Sequence, residues 1–325
     1  MITVTTHPSL ALIKYWGKAD GGINLPASPS IAVGLEDLHT ETRVSAQALR
    51  KTGQDRISID GTIVADKAIE SFLHHLRTNY PETKKLVFNI QTRNSFPTAA
   101  GLASSSSGFA ALAIACTRAA NITLSERELS QLARLGSGSA ARAVFGGFTR
   151  FSAGSEFAQQ IFPASHWPEL CAIIVMIHKG KKPMGSRQAM EHTRTSSPYY
   201  SPWLEHSKQM EEPAIQAIQQ KSLDSLGPIM RHSYLSMFGS MLAADPAIIY
   251  WLPDSLAIIH AAGRWRDAGL PVWETMDAGP QVKLFTLAEH IPSLLDKLKE
   301  EFPQLDTITT KIGGEPTIRI EDSKP

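Results

Sequence analysis

The chain has 325 residues, of which 42% are hydrophobic and 19% are charged. This length and composition predict a globular protein with a large core, built as one long domain or two ordinary ones. The formal net charge of +1 excludes a protein that attracts nucleic acid or an anionic membrane through its overall field. An anionic ligand must therefore be bound by a local cluster of cations.

The two cysteines, Cys116 and Cys171, lie in apolar runs. That setting is typical of small buried side chains and not of disulfides or metal ligands. The N-terminus lacks the basic and apolar regions of a signal peptide, and no apolar run reaches the length that spans a membrane. We therefore expect a cytoplasmic protein with neither a membrane nor a nucleic-acid partner.

The first 80 residues predict several strands and one helix. Alternation with β-branched residues predicts strands, whereas apolar residues three and four positions apart predict a helix. The predicted elements are a first strand at Met1–Thr6, a strand pair at Ile31–Leu35 and Thr40–Ala46, a hairpin of Arg56–Ile59 with Thr62–Val64, and a helix at Lys67–Thr78.

A small-residue stretch, Pro97–Gly108, separates a predicted strand, Leu86–Ile90, from a predicted buried helix, Phe109–Ala119. The first N–H groups of a helix have no partner inside the helix, and the helix dipole places partial positive charge there. Gly101 allows the backbone to approach a ligand closely. Serines at positions 104–107 add hydroxyl groups that can contact phosphate oxygens or Mg²⁺. This context predicts a phosphate site.

A solvated linker is the alternative interpretation of a run rich in serine and glycine. Against that alternative, the run contains alanine and leucine, begins at Pro97 and leads directly into an apolar helix. The stretch is not a Walker A loop, because no Gly-Lys-Ser/Thr follows. It also lacks the three-glycine spacing of a dinucleotide-binding loop.

A second small-residue turn, Gly136–Arg142, follows a helix that is predicted to run from the capping residue Ser125 to Leu135. The serines of this turn and Arg142 suit a second phosphate, because a guanidinium group binds phosphate oxygens through two parallel hydrogen bonds. A helix C-cap beside an incidental arginine is the alternative.

The second half follows a buried strand, Leu170–His178, and a basic break at Lys179–Pro183. We place a domain boundary here, which predicts domains at residues 1–178 and 179–325. The elements predicted beyond the boundary are a helix from Ser186, a loop at His192–Pro202, and helices at Pro202–Gln220, Leu223–Leu242, Ser255–Ala268 and about Leu284–Phe302, the last broken near Pro292. The predicted strands are Val272–Met276, Thr307–Ile312 and Thr317–Ile320.

Four segments of the chain resemble the mevalonate diphosphate decarboxylase family, which is part of the GHMP small-molecule kinase superfamily. They are Ala11–Lys18, Pro97–Gly108, Gly136–Arg142 and Met276–Pro280. Four separated motifs in the right order are far more specific than any one of them. The resemblance implies a two-domain α+β fold, with an N-terminal domain of a ribosomal-protein type and a ferredoxin-like C-terminal domain. It also implies an active site between the domains and a homodimer.

Roles for individual residues come from the same resemblance. It implies that Asp277, Lys18 and Arg142 are catalytic, although an aspartate before Gly-Pro would on its own be interpreted as a turn residue. The residues implied to bind the substrate are Tyr15, Trp16, Lys18, Ser137, Ser139, Arg142 and Ser186. Those implied to bind ATP with Mg²⁺ are Pro97, Ala100, Gly101, Leu102, Ala103, Ser104, Ser105, Ser106, Ser107 and Gly108, with Ser105 as a metal ligand.

The implied reaction is the ATP-dependent decarboxylation of (R)-mevalonate 5-diphosphate to isopentenyl diphosphate, a step of isoprenoid biosynthesis. The alternatives are decarboxylation of the monophosphate, a kinase that stops at the phosphorylated product, and a silent relative that acts as a ligand sensor. Three sites depart from the family pattern. Ser9 and Gln281 stand where the family often has asparagine, and Ala27–Ser30 replaces Leu-Asn-Ser-Ser.

Overall fold

The computed structural model describes residues 1–19, 24–49, 53–96, 104–180 and 182–321. The strands are β1 Ile2–Thr6, β2 Ser9–Ile13, β3 Ser30–Gly34, β4 Thr40–Ala48, β5 Arg56–Ile59, β6 Thr62–Ile63, β7 Leu86–Asn94, β8 Phe148–Phe151, β9 Gln159–Phe162, β10 Leu170–Met176, β11 Trp273–Met276, β12 Val282–Leu287, β13 Asp306–Lys311 and β14 Thr317–Ile320.

The α-helices are α1 Lys67–Asn79, α2 Ser104–Ala119, α3 Glu126–Gly136, α4 Ala140–Ala143, α5 Ser186–Ser196, α6 Tyr200–Gln209, α7 Glu211–Gln219, α8 Leu223–Leu242, α9 Pro253–Asp267 and α10 Ile291–Glu301. Helices and mostly antiparallel strands are mixed along the chain, which confirms the predicted α+β class. Among the described residues, no helix combines the length and the apolar character that a membrane crossing requires.

The strands form three sheets. A six-stranded sheet has the order β14-β1-β4-β7-β5-β6, and helix α2 packs on β1 and β4. A four-stranded sheet has the order β2-β3-β8-β9, and a second one has the order β11-β12-β10-β13. One cluster of buried apolar residues joins the two four-stranded sheets, with Leu12 and Val33 on one side and Ile173 and Phe285 on the other. Shared packing of this kind fixes the position of one half against the other.

On each side of the predicted boundary at residue 178, one strand pairs with strands of the other half. Strand β10 precedes the boundary but pairs with β12 and β13 of the C-terminal half. Strand β14 follows the boundary but pairs with β1 near the N-terminus, for example Val4 with Ile318. Each half of the chain therefore completes a sheet of the other.

Helix α2 begins at Ser104, so the four serines form its first turn, whereas the sequence predicts that the helix starts at Phe109. The predicted cap of helix α3 is confirmed. The Ser125 hydroxyl accepts a hydrogen bond from the Glu128 N–H, and the Glu128 carboxylate accepts one from the Ser125 N–H. This reciprocal pair satisfies two N–H groups that the helix itself leaves without partners.

Several predicted elements are wrong. Strands β3 and β4 do not pair with each other but lie in different sheets. The segment from Leu284 is not a helix at first, because it continues strand β12 in the middle of a sheet before α10 begins. The polar stretch after His192 continues helix α5, and the predicted helix Pro202–Gln220 is divided into α6 and α7 near Met210. In each case packing against neighbouring elements outweighs the local pattern.

Candidate active site

A cleft of about 540 Å³ lies between the N-terminal and C-terminal halves of the chain. It brings together residues from all four sequence motifs, although residues 97–103 of the second motif lie outside the described residues. The predicted site residues that line the cleft are Tyr15, Trp16, Lys18, Ser104, Ser105, Ser137, Ser139, Arg142, Ser186 and Asp277. The predicted ATP-binding residues outside the described ranges are Pro97, Ala100, Gly101, Leu102 and Ala103.

Arg142 lies on the short helix α4 and is 2% exposed, although it lines the cleft. Its Nε donates a hydrogen bond of 3.1 Å to the Ser9 hydroxyl, and its terminal nitrogen donates to the Ser30 hydroxyl. Burial lowers the pKa of Arg142 to about 10, so the group stays protonated at neutral pH. Both hydroxyls lie on neighbouring strands of one sheet. Ser9, which stands where the family often has asparagine, therefore supplies one of the two hydroxyl groups that hold the guanidinium.

Asp277 follows strand β11, and its side chain is 24% exposed. Its Oδ1 accepts a hydrogen bond of 2.8 Å from Lys14 Nζ, and its Oδ2 lies 3.3 Å from Lys283 Nζ. Burial would raise the pKa of Asp277, but the charges of the two lysines lower that pKa to about 2. The carboxylate is therefore ionised throughout the neutral range.

Lys14 is 1% exposed and donates a second hydrogen bond, of 2.5 Å, to the Ala11 carbonyl. Burial lowers its pKa to about 8, against the opposing effect of the Asp277 carboxylate. Lys14 is thus mostly protonated at pH 7, but its pKa lies much closer to neutral pH than that of an exposed lysine. Lys14 and Asp277 are 263 residues apart in the sequence, so their contact joins the first motif to the last.

Lys182 lies close enough to Asp277 to interact with its charge, and it connects two parts of the site. Its Nζ donates to the Ser186 hydroxyl at 2.6 Å and to the Ala278 carbonyl at 2.7 Å. Burial lowers the pKa of Lys182 to about 8. The predicted residue Ser186 begins helix α5, so Lys182 fixes the start of that helix against the turn that carries Asp277.

Lys18 and Tyr15 occupy another part of the cleft, beside Asn24. Lys18 Nζ donates to Asn24 Oδ1 at 2.6 Å, and Asn24 Nδ2 donates to the carbonyls of residues 134 and 135 at the end of α3. Burial, followed by the charge of Arg187, lowers the pKa of Lys18 to about 8. Burial raises the pKa of Tyr15 to about 12, so Tyr15 is a neutral hydrogen-bonding group. Lys18 and Arg187 both line the cleft, and they donate hydrogen bonds to the neutral oxygens of Asn24 and Gly136.

The serine run divides into two parts. Ser104 and Ser105 line the cleft, and the Ser105 hydroxyl lies 3.4 Å from that of Ser137. Ser106 and Ser107 are fully buried. The Ser106 hydroxyl accepts from the Ser9 N–H at 3.0 Å. These buried hydroxyls tie α2 to the sheets, because Ser107 shares a hydrogen bond of 2.6 Å with Thr40 on β4.

Four other predicted residues have defined contacts or positions. Ser137 and Ser139, in the motif Gly136–Arg142, share a hydrogen bond of 3.3 Å. Trp16 is 2% exposed, and its backbone N–H donates to the Ser28 hydroxyl at 3.0 Å. Gly108 lies within α2, with no heavy atom within 4 Å of where a Cβ would be. Trp16 thus forms part of the wall of the cleft, and Gly108 is a helix position.

Several cleft residues were not among the sequence predictions. Lys14 belongs to the first motif but was not assigned a role, and Lys182 lies in the basic break between the halves. Asn24 and Arg187 line the cleft, whereas Lys283 contacts Asp277 without lining it. No sequence pattern around these three residues points to a site. The position of Lys14 and Lys283 within apolar runs is a sequence signal that points to the site, because a lysine is seldom buried without an acidic partner.

Gln281 replaces the usual asparagine and is fully buried. Its Oε1 accepts from the Ile177 N–H at 2.6 Å and from the His178 N–H at 3.2 Å, and its Nε2 donates to the His178 carbonyl. The side chain therefore ties the end of β10 to the start of β12. The additional methylene of glutamine gives the amide the reach for these contacts.

Replacing Gln281 by alanine should lower the free energy of unfolding by ~1–3 kcal/mol, because two part-buried N–H groups would lose their acceptor. Urea unfolding of the variant and the parent measures the change. Gln220→Ala, at an exposed helix end, is the matched control. Equal urea midpoints for the parent and Gln281→Ala would show that the Gln281 side chain does not stabilise the link between β10 and β12.

A magnesium ion bound with a nucleotide fits this cleft. Within the described ranges, no group of three or more His, Cys, Asp or Glu side chains could hold a metal by itself. Mg²⁺ usually binds through one or two protein oxygens together with phosphate oxygens and water. The Ser105 and Ser104 hydroxyls at the start of α2 are oxygens of that kind.

Two family models together match almost the whole chain. The diphosphomevalonate decarboxylase-like N-terminal domain matches residues 6–162. The mevalonate 5-diphosphate decarboxylase C-terminal domain matches residues 172–324. A diphosphomevalonate decarboxylase of Ganoderma lucidum is 31% identical, over 96% of this chain and 84% of its own length.

Solved structures agree with these matches. One, described as MDDEF in complex with MVAPP, AMPPCP and magnesium, is 34% identical over 98% of each chain, with a TM-score of 0.90. Another concerns mevalonate diphosphate mediated ATP binding by the mevalonate diphosphate decarboxylase of Enterococcus faecalis. It is 34% identical over 98% of each chain, with a TM-score of 0.89. The two-domain fold of the GHMP kinase type is thereby confirmed, and the chain belongs to the mevalonate diphosphate decarboxylase family.

Proposed function

We propose that this protein is an ATP-dependent decarboxylase that converts (R)-mevalonate 5-diphosphate to isopentenyl diphosphate, with release of CO₂, ADP and phosphate. The observation that carries the proposal is an ionised Asp277 paired with Lys14 at one wall of a cleft that Arg142 and Lys18 also line. One carboxylate among several cations suits a substrate with a diphosphate, a carboxylate and a hydroxyl group. ATP and the substrate both bring the negative charge that the cleft lacks.

Asp277 would accept a hydrogen bond from the 3-hydroxyl of the substrate and direct that oxygen toward the γ-phosphate of ATP. Its pKa of about 2 makes it a weak base, which favours the orienting role. The new bond joins the hydroxyl oxygen to the γ-phosphorus, and the bond from the γ-phosphorus to the β-phosphate oxygen of ADP breaks. The hydroxyl proton passes to an oxygen of the transferred phosphoryl group. Phosphoryl transfer of this type depends mainly on positioning and on charge stabilisation.

Loss of phosphate completes the reaction. The C3–O bond breaks with its electron pair on the phosphate, and positive charge develops at C3. The bond between the carboxylate carbon and C2 then breaks, its electrons form the new double bond, and CO₂ leaves. Lys14 and Arg142 would stabilise the departing phosphate, and the buried walls of the cleft would exclude water.

The remaining predicted residues receive binding roles in this proposal. Lys18, Tyr15, Ser137, Ser139 and Arg142 would hold the diphosphate and carboxylate of the substrate. Ser186 would contact the substrate from the C-terminal half. The helix start at Ser104 and Ser105 would bind ATP phosphates, and Mg²⁺ supplies charge neutralisation for them when bound.

We also propose the domain division near residue 178 that the sequence predicts, with one strand exchanged in each direction. The N-terminal domain would supply the nucleotide site and the C-terminal domain Asp277. Buried, unpaired thiols at Cys116 and Cys171 support a cytoplasmic location, where reducing conditions prevail. A homodimer rests on family resemblance, and light scattering of the purified chain would test it.

Product analysis tests the proposed function. The purified chain is mixed with Mg-ATP and either mevalonate 5-diphosphate or mevalonate 5-phosphate, and ADP and CO₂ are measured together. We expect equal amounts of ADP and CO₂ with the diphosphate. ADP without CO₂ would identify a kinase that stops at phosphoryl transfer, and CO₂ with the monophosphate alone would identify the monophosphate decarboxylase.

Replacing Ser105 by leucine should weaken ATP binding or turnover strongly, because an apolar side chain would displace a hydroxyl from the helix start. Isothermal titration with the ATP analogue AMPPCP and steady-state rates measure both effects. Ser293→Leu on α10, also exposed, is the matched control. ATP affinity and rate that both equal the parent's would remove Ser105 from the nucleotide site.

A further inference from the structure

Lys283 approaches Asp277 from inside the C-terminal sheet. It lies on β12, it is 1% exposed, and its Nζ is 3.3 Å from Asp277 Oδ2. Lys283 is not one of the described residues that line the cleft. It therefore contacts the carboxylate from behind, whereas Lys14 contacts the other oxygen from the N-terminal half.

The strand position of Lys283 is otherwise an apolar one. Its partners across the sheet are Thr275 on β11 and Ile174 on β10, and both are fully buried. Val282 and Leu284 on either side are also buried. An ammonium group in such surroundings is costly unless a carboxylate compensates it. The compensating group is Asp277, with a second contact of 3.3 Å from Nζ to the Gln281 carbonyl.

We propose that Lys283 is a positioning residue for the reaction, and this inference rests on the proposed function. By holding Oδ2 while Lys14 holds Oδ1, it fixes the plane of the Asp277 carboxylate. Each carboxylate oxygen has two acceptor positions, so both oxygens keep one for the substrate hydroxyl. Lys14 cannot fix the plane by itself, because a carboxylate held at one oxygen can still rotate.

The charges around Asp277 also indicate that Lys283 acts by positioning the carboxylate. The cations that face Asp277 are Lys14, Lys182, Lys283 and Arg142. Removing Lys283 leaves three of them, so Asp277 should stay ionised at neutral pH. The loss of Lys283 should therefore change the orientation of the carboxylate and not its protonation at the pH of the assay.

A double-mutant cycle tests the proposal on ADP release, with Lys283→Met and Asp277→Asn separately and together. We expect kcat of Lys283→Met to fall about tenfold while KM for ATP and for mevalonate 5-diphosphate stays within about twofold, as for an interaction used mainly in the transition state. In the Asp277→Asn background, Lys283→Met should add no further loss, because Lys283 would act through that carboxylate.

Lys311→Met, at an exposed position of β13 in the same sheet, is the control and should keep the parent kcat. A parent-like kcat for Lys283→Met would overturn the proposal, and so would a further tenfold loss in the Asp277→Asn background. If Lys283→Met does not fold by its thermal melt, Lys283→Gln replaces it in the same cycle. If the parent released ADP without CO₂, the proposed decarboxylase function would be wrong. The double-mutant cycle would still test the role of Lys283, because it measures ADP release.

Discussion

Replacing Asp277 by asparagine should lower kcat by ~10²-fold or more, the scale of a positioned acid–base or orienting group, while ATP and substrate bind about as tightly as in the parent. Asparagine keeps the shape of the side chain but removes its charge. The amide would present a poorer acceptor to the hydroxyl, beside two lysines that no longer have a carboxylate. Loss of rate with intact binding marks an interaction made mainly in the transition state.

Single-turnover rates and titration with mevalonate 5-diphosphate separate the two effects. Asp296→Asn, at an exposed position of α10, is the matched control. A variant that bound the substrate poorly but turned over normally at saturation would make Asp277 a binding residue. Full activity in Asp277→Asn would place the chemistry elsewhere and would reopen the alternative of a kinase that stops at the phosphorylated product.

Arg142→Ala should lose ~2–5 kcal/mol of substrate or transition-state binding, because truncation leaves buried anionic groups of the substrate without a partner. Arg142 is 2% exposed, and the hydroxyls of Ser9 and Ser30 fix its guanidinium. Arg142→Lys should recover the activity only in part. A lysine keeps the charge but loses the planar fork that contacts two oxygens at once.

The affinity for mevalonate 5-diphosphate and kcat/KM measure this loss. Arg118→Ala, at an exposed position near the end of α2, controls for the general effect of removing an arginine. Substrate affinity and rate that both match the parent's in Arg142→Ala would make the assignment wrong. Complete recovery by Arg142→Lys would show that charge matters there and that geometry does not.

The elements that could be predicted from sequence are those whose signals are local. Helix α1 has apolar residues on one face and an Asp66 cap, and helix α3 has its capping pair within four residues. The hairpin of β5 and β6 turns at Asp60-Gly61, where both residues have a positive φ. Such signals arise from hydrogen bonds and torsions between near neighbours, so the chain carries them wherever it folds.

The errors have a different origin. Strand β12 has a composition that also suits a helix, and its pairing with β10 and β11 decides the outcome. Strands β3 and β4 are close in sequence but pair with β2 and β8 in one sheet and with β1 and β7 in another. Strand pairing depends on partners that can be more than 100 residues away, as for β3 and β8.

For the site, the sequence by itself determined the motifs, their order and the family, and with them Asp277, Arg142 and the serine run. Only the tertiary structure decided that Ser106 and Ser107 are buried supports while Ser104 and Ser105 face the cleft. It also decided that Lys14 and Lys283 hold the two oxygens of Asp277. The reason is physical: an ion pair between residues 263 apart forms through the packing of the two halves, and no local pattern in the chain encodes that distance.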